Sequence, residues 1–236
     1  MRTSIFGLAL LASTAFAAPA HAESDLGGGI TVSGNAALVT DYRFRGISFS
    51  DEDIAVQGGI DFAHESGFYI GTWGSSIEDS PVFGHTELDV YAGWSGEVAS
   101  GLSLDVGVLG YLYPNGNVGN ADYWEIYGSL SYSIGIAEIT TGVAYNPSQN
   151  SIGSDDNIYV YGDVGVGIPE TPITLTGHIG YTNGSLSIDN DVDYVDWSLG
   201  AEASFGMLSI GVAYVATAVN GPLTDGTVVG TLGVSF

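Results

Sequence analysis

The sequence predicts an all-β chain: a single antiparallel transmembrane β-barrel of about 12 strands, with 10 or 14 as alternative counts. Three observations predict it. Apolar and polar residues alternate with period two in a dozen segments of about ten residues each, the length a tilted strand needs to cross a bilayer. The connections alternate in length, short then long, as tight periplasmic turns and longer outer loops do in such barrels. Composition agrees: 36 glycines, 14 tyrosines, no lysine and many β-branched residues oppose helices and suit strands.

Taken in order, residues 1–22 read as a secretory signal peptide. Arg2 supplies the positive start, residues 5–16 an apolar core, and Ala20-His21-Ala22 a small-residue cleavage site. The apolar core is too short for a convincing spanning helix, and no later apolar run reaches the roughly 18 residues that one needs. Residues 23–29 form a short N-terminal segment and 30–236 the barrel. Strands are expected at 30–46, 54–64, 68–76, 86–95, 102–113, 122–134, 136–145, 158–168, 172–183, 192–205, 207–217 and 227–236. The clearest is 122–134, where Trp124, Ile126, Leu130, Tyr132 and Ile134 alternate with Tyr123, Glu125, Tyr127, Ser129 and Ser131. The strand 68–76 has two readings. A three-residue turn before it sends Phe68 and Ile70 to lipid and Trp73 to the lumen, and a two-residue turn reverses this.

Short connections fall at 65–67, 97–101, 135, 169–171 and 206, and long ones at 47–53, 77–85, 114–121, 146–157, 184–191 and 218–226. Both ends of the barrel chain therefore lie on the short-turn side. On the apolar face Trp94, Tyr132, Phe205 and Phe236 gather near the short turns, and Trp124, Tyr145, Tyr181 and Tyr214 near the long loops. Those are two interfacial belts. The terminal run Leu232, Val234, Phe236 resembles the C-terminal strand by which outer-membrane proteins are recognised for insertion.

Charge narrows the function. Against 27 acidic residues the chain has three basic ones, and removal of the leader leaves only Arg43 and Arg45. Nothing could neutralise phosphate, so nucleic acid is excluded as a partner and cations are favoured. The absence of cysteine excludes disulfides, thiol chemistry and a lipid-anchored cysteine.

A carboxylate facing lipid at mid-membrane costs about 2 kcal/mol or more, so the polar face of each strand must turn inward. This collects Asp61, Glu87, Asp89, Asp105, Glu125, Glu138, Asp163, Asp196 and Glu202 around the lumen. In 30–46 the same parity puts Asp41, Arg43 and Arg45 on one face with Thr31, Ser33 and Asn35, opposite Ile30, Val32, Ala36 and Leu38. The arginines have two readings: a constriction neutralised by Asp41 and Asp61, or structural pins holding the first strand to its neighbours. The pore-lining set is thus Asp41, Arg43, Arg45, Asp61, Glu87, Asp89, Asp105, Glu125, Asp163 and Asp196. Inward tyrosines, Tyr91, Tyr111, Tyr113, Tyr123, Tyr127, Tyr159, Tyr161 and Tyr194, either fill the interior or stack on sugars and cations.

Acidic loop clusters at 51–53, 155–157 and 189–191 are solvated tips or divalent-cation sites, and none carries the spacing of a dedicated calcium loop. No metal or cofactor is expected. Enzyme chemistry is not expected either. His64 lies near a short turn, His178 stands alone on a Thr-lined inner face, and His85 has only the generic neighbours Ser75, Ser76 and Asp79.

The segment Thr40-Asp41-Tyr42-Arg43-Phe44-Arg45-Gly46-Ile47-Ser48, followed by Gln57-Gly58-Gly59 and Gly67-Phe68-Tyr69-Ile70-Gly71-Thr72-Trp73-Gly74, resembles the TorF-type porin family of conserved proteobacterial outer-membrane proteins. The resemblance implies an outer-membrane location and a porin-like role, and brings no catalytic residues. The expected function is a porin-like channel for passive diffusion of small solutes, preferring cations. The alternative is a closed structural or surface-binding barrel. The expected partners are outer-membrane lipid, lipopolysaccharide, and small hydrophilic solutes or cations.

Overall fold

The computed structural model of the protein describes residues 24–187 and 192–236. The expected signal peptide and the cluster Asp189, Asn190, Asp191 lie outside them. The strands are β1 Ser24–Gly27, β2 Ile30–Val39, β3 Arg43–Phe44, β4 Ile47–Ser48, β5 Ala55–His64, β6 Phe68–Ser80, β7 Gly84–Ala99 and β8 Leu102–Leu112. They continue as β9 Tyr123–Ile134, β10 Ala137–Asn146, β11 Asn157–Gly167, β12 Ile173–Gly184, β13 Tyr194–Phe205, β14 Leu208–Thr217 and β15 Thr227–Ser235.

Twelve of these, β2 and β5 to β15, pair antiparallel with their neighbours and close into a barrel. Closure is made by β2, which pairs with β5 from Ile30↔His64 to Val39↔Ala55 and with β15 from Thr231↔Val39 to Ser235↔Asn35. At the seam Gly34 and Phe236 exchange backbone hydrogen bonds of 2.7 and 2.9 Å. The Phe236 ring then lies over Gly34, where a Cβ would meet it at 2.9 Å. Below the end of β15, β1 pairs with the start of β2 and covers edge groups that would otherwise be unpaired.

Sidedness follows the expected parity. Leu88, Val90, Val106, Val108, Trp124, Ile126, Ile179, Tyr181, Leu199, Val212 and Leu232 are exposed on the outside, while Glu87, Asp89, Tyr91, Tyr111, Tyr123 and Glu125 between them are buried inside. The turn Glu65-Ser66-Gly67 has three residues, so Phe68 and Ile70 point outward and Trp73 is buried in the lumen. That decides between the two readings of β6. Inward tyrosines lie flat over glycines of the next strand: Tyr69 over Gly93, Tyr91 over Gly71, Tyr127 over Gly107. A Cβ at Gly71 would sit 2.5 Å from the Tyr91 ring. Rings that lie down on the wall fit many tyrosines into a narrow barrel.

Two expectations fail. The first strand does not run to Gly46: β2 stops at Val39, and the chain turns into the barrel. The cause is local, because Asp41 accepts hydrogen bonds from Arg43 Nε at 2.6 Å and from the Ser48 hydroxyl at 2.6 Å, folding 41–48 onto itself. Arg45 (φ 47°) and Gly46 (φ 84°) then make the tip of the β3–β4 hairpin, with backbone in the left-handed region. Second, 77–85 is not a long loop. β6 and β7 extend to Ser80 and Gly84 and leave only 81–83 as the turn.

Candidate functional site

The lumen is the candidate site, and the segment that turns into it sets its geometry. Phe49 N donates to Tyr42 O at 2.7 Å, Glu78 N to Phe49 O at 2.8 Å, and Ser48 N to Leu223 O at 3.0 Å, which tie 41–53 to the extended β6 and to the loop after β14. Arg43 is fully buried and works within this segment. Its Nε donates to Asp41, its Nη1 to the carbonyls of Gly46 (3.1 Å) and Asp225 (2.8 Å), and its Nη2 to Glu52 at 3.4 Å.

Arg45 reaches across the lumen instead. Its Nη2 donates to Glu125 Oε2 at 2.8 Å, and its guanidinium carbon lies 4.4 Å from the centroid of Tyr159 and 4.8 Å from that of Phe44. Burial alone would lower its pKa, but Glu125 and the surrounding groups more than offset this and hold it above its ordinary value, so it stays charged. The two arginines therefore do not share one strand face. The expected partner Asp61 is also wrong: it accepts from Tyr91 Oη at 2.5 Å near the other end. A hairpin turned inward breaks the period-two parity of a strand, which is why the sequence reading misplaced both guanidinium groups.

Around the hairpin is a closed layer. Tyr42 Oη donates to Glu87 Oε1 at 2.5 Å, Tyr113 Oη to Glu87 Oε2 at 2.9 Å, and Tyr111 Oη to Glu125 Oε1 at 2.9 Å. Burial, with Glu87 and Asp89 beside it, pushes the Tyr42 phenol well above its ordinary range, so it remains a neutral donor. Phe44 packs edge-on to Tyr111 at 5.6 Å, and Tyr111 stacks on Tyr123 at 4.5 Å. Glu87, Asp89 and Glu125 are 0% exposed and Asp196 3%. This layer lies toward the long loops.

Toward the short turns the inner wall is wetter. Asp61, Asp105 and Asp163 are only half-buried. Asp105 accepts from Tyr69, whose hydroxyl also meets that of Tyr127. His178 is not alone. Its Nδ1 lies 2.6 Å from Asp163 Oδ1, its Nε2 3.0 Å from Asp196 Oδ1, and the Tyr159 hydroxyl 2.8 Å from Nε2. In the β11–β12 hairpin Asp163 stands opposite His178. The sequence reading turned both residues inward but did not pair them, because the facing partner depends on the hairpin register set by the observed turn 168–172, longer than the expected 169–171. Sequence reasoning also missed Tyr42 and Tyr69 as inward groups; Tyr69 follows from the same three-residue-turn reading of β6 that sends Trp73 to the lumen.

Thus Glu87, Asp89, Glu125, Asp196, Arg45, Asp41 and Arg43 meet in the closed layer, and Asp61, Asp105 and Asp163 line the wetter half. Among the described residues, no three His, Cys, Asp or Glu side chains converge as metal ligands, and no helix is long and apolar enough to cross a membrane. A model described as a bacterial protein of unknown function, Gcw_chp, matches residues 22–233. The chain belongs to the Gcw_chp family.

Two solved structures share the fold of this Gcw_chp protein. A NanC porin is 11% identical with a TM-score of 0.56, covering 87% of this chain and 98% of that one. A KdgM porin in complex with disordered oligogalacturonate is 8% identical with a TM-score of 0.57, covering 87% of this chain and 97% of that one. No curated protein matches the chain in sequence. At such identities the likeness is one of fold: a closed, porin-like barrel of the same span.

Proposed function

We propose that this Gcw_chp protein is an outer-membrane porin-like channel for small hydrophilic solutes, preferring cations, whose lumen is controlled by the inward segment 41–53. The reading includes export to a Gram-negative outer membrane after cleavage of residues 1–22, contact with lipid and lipopolysaccharide, and passive passage rather than enzymatic turnover. Kinship with the TorF-type porins is part of the same proposal.

One observation carries it: a closed barrel with an aliphatic and aromatic outer band holds its strand carboxylates inside. Hydrocarbon outside and an acidic interior are what a cation pathway across a bilayer requires. The oligogalacturonate in complex with the KdgM porin is itself a chain of carboxylates. A lumen with Asp61, Asp105 and Asp163 on its wet side would repel such a polyanion. The preference proposed here is therefore for the opposite charge.

The buried layer around Arg45 favours a second reading, a permanently closed structural barrel. Reversal potential across an asymmetric potassium chloride gradient in planar bilayers separates the two. A potential of the sign for cation flow supports the channel. Absence of current from a refolded, heat-modifiable barrel, also after removal of residues 41–53, leaves only the structural role.

A further inference from the structure

The closed layer holds more acidic side chains than its own arginine bonds. Glu87 and Asp89 follow each other on the inner face of β7, and Glu125 stands two strands along on β9. Across from them Asp196 holds Tyr159, the ring on which Arg45 lies. Among the described residues only Glu125 is paired to Arg45. Asp89 is fully buried, and among the described residues neither of its carboxylate oxygens has a hydrogen-bond partner; Asp196 Oδ2 is likewise unpartnered among them, while its Oδ1 meets Tyr159 and His178. On the cationic side Arg45 Nε and Nη1 are unused. Buried carboxyl groups without a hydrogen-bond partner are costly, and a cation that reached them would recover part of that cost.

The shape of the place says which cation. Among the described residues the acids do not converge as metal ligands, and what fills the space is a planar guanidinium that donates one hydrogen bond to Glu125 and lies against the Tyr159 ring. A flat cation that donates from its rim and lays its face on a π system suits this place better than a compact point charge. Arg45 is delivered by a hairpin tip with left-handed backbone, and not by a barrel strand. The wall therefore keeps its acids and its ring when the tip withdraws.

Building on the channel reading above, we propose that the wall formed by Glu87, Asp89, Glu125, Asp196 and Tyr159 is a binding site for solutes bearing a guanidinium group. Arg45 is the chain's own occupant of that site. A guanidinium solute entering from the wet half competes with Arg45, takes its place on Glu125 and Tyr159, and releases the hairpin. The site is thus both the selectivity element and the trigger.

The test uses the full barrel with Arg45→Ala, refolded in detergent and checked by heat-modifiable migration, with Arg45→Gln as the second variant should alanine not refold. Each is titrated with guanidinium chloride at millimolar concentration against potassium chloride of equal ionic strength, reading the thermal midpoint. Guanidinium is expected to raise the midpoint saturably, with affinity about tenfold or more above that of potassium. Adding Glu125→Gln to the variant should abolish the difference. Equal responses to the two ions, or a guanidinium response that survives Glu125→Gln, overturns the proposal. In planar bilayers the same variants separate the two readings. Guanidinium slowing the potassium current supports site and channel together. Current without discrimination sinks the site and spares the channel, whereas selective binding with no current in any variant sinks the channel reading and the transit role with it.

Discussion

Replacing Glu125 by Gln is expected to loosen the hairpin without emptying the barrel wall. Glu125 is fully buried, accepts from Arg45 at 2.8 Å and from Tyr111 at 2.9 Å, and changes little in volume on becoming an amide. Gln can still accept from Tyr111, but Arg45 is left charged in a dry layer without its partner. Breaking a buried ion pair from one side costs about 3–5 kcal/mol. About 3 kcal/mol, the lower end of that range, corresponds to about two orders of magnitude in the ratio of seated to released hairpin. Single-channel recording reads this directly as a higher open fraction with longer openings in Glu125→Gln than in the native protein. Adding Arg45→Gln removes the unpaired charge, so the double variant should differ from Arg45→Gln alone by far less than Glu125→Gln differs from native. Superimposable traces from native and Glu125→Gln barrels, both refolded, would refute the idea that this pair holds the segment in place.

Further outcomes follow from other parts of the fold. Arg43→Gln removes charge-assisted bonds to Asp41 and to the carbonyls of Gly46 and Asp225, worth about 1.5–3 kcal/mol each, and should raise amide exchange in 41–53 while leaving barrel strands protected. If exchange there does not change, Arg43 is not the clasp. Gly71→Ala puts a methyl 2.5 Å from the Tyr91 ring and should lower the urea midpoint by an amount equivalent to about 1–3 kcal/mol; an unchanged midpoint means the ring moves freely. Val90→Arg, on the outward face of β7, should cost about 2–4 kcal/mol in bilayer refolding, and a neutral result would contradict the assigned lipid face.

The period-two alternation is a local property, and it carries far. Trp124 and Ile126 outside, Tyr123 and Glu125 inside, the closure of 12 strands and the outward Phe236 are all legible from residue order alone, because a strand has only two faces and hydrocarbon refuses carboxylates. What tertiary structure decided is how distant groups meet across the enclosed space. Arg45 finds Glu125 from 80 residues away, and only after Asp41 has folded the chain off the line of β2. His178 finds Asp163 through a hairpin register that one residue of turn length displaces. Alternation sets which side a residue faces. It carries no information about which residue stands opposite once the sheet has curled into a cylinder, and in this protein that opposition is what fills the lumen.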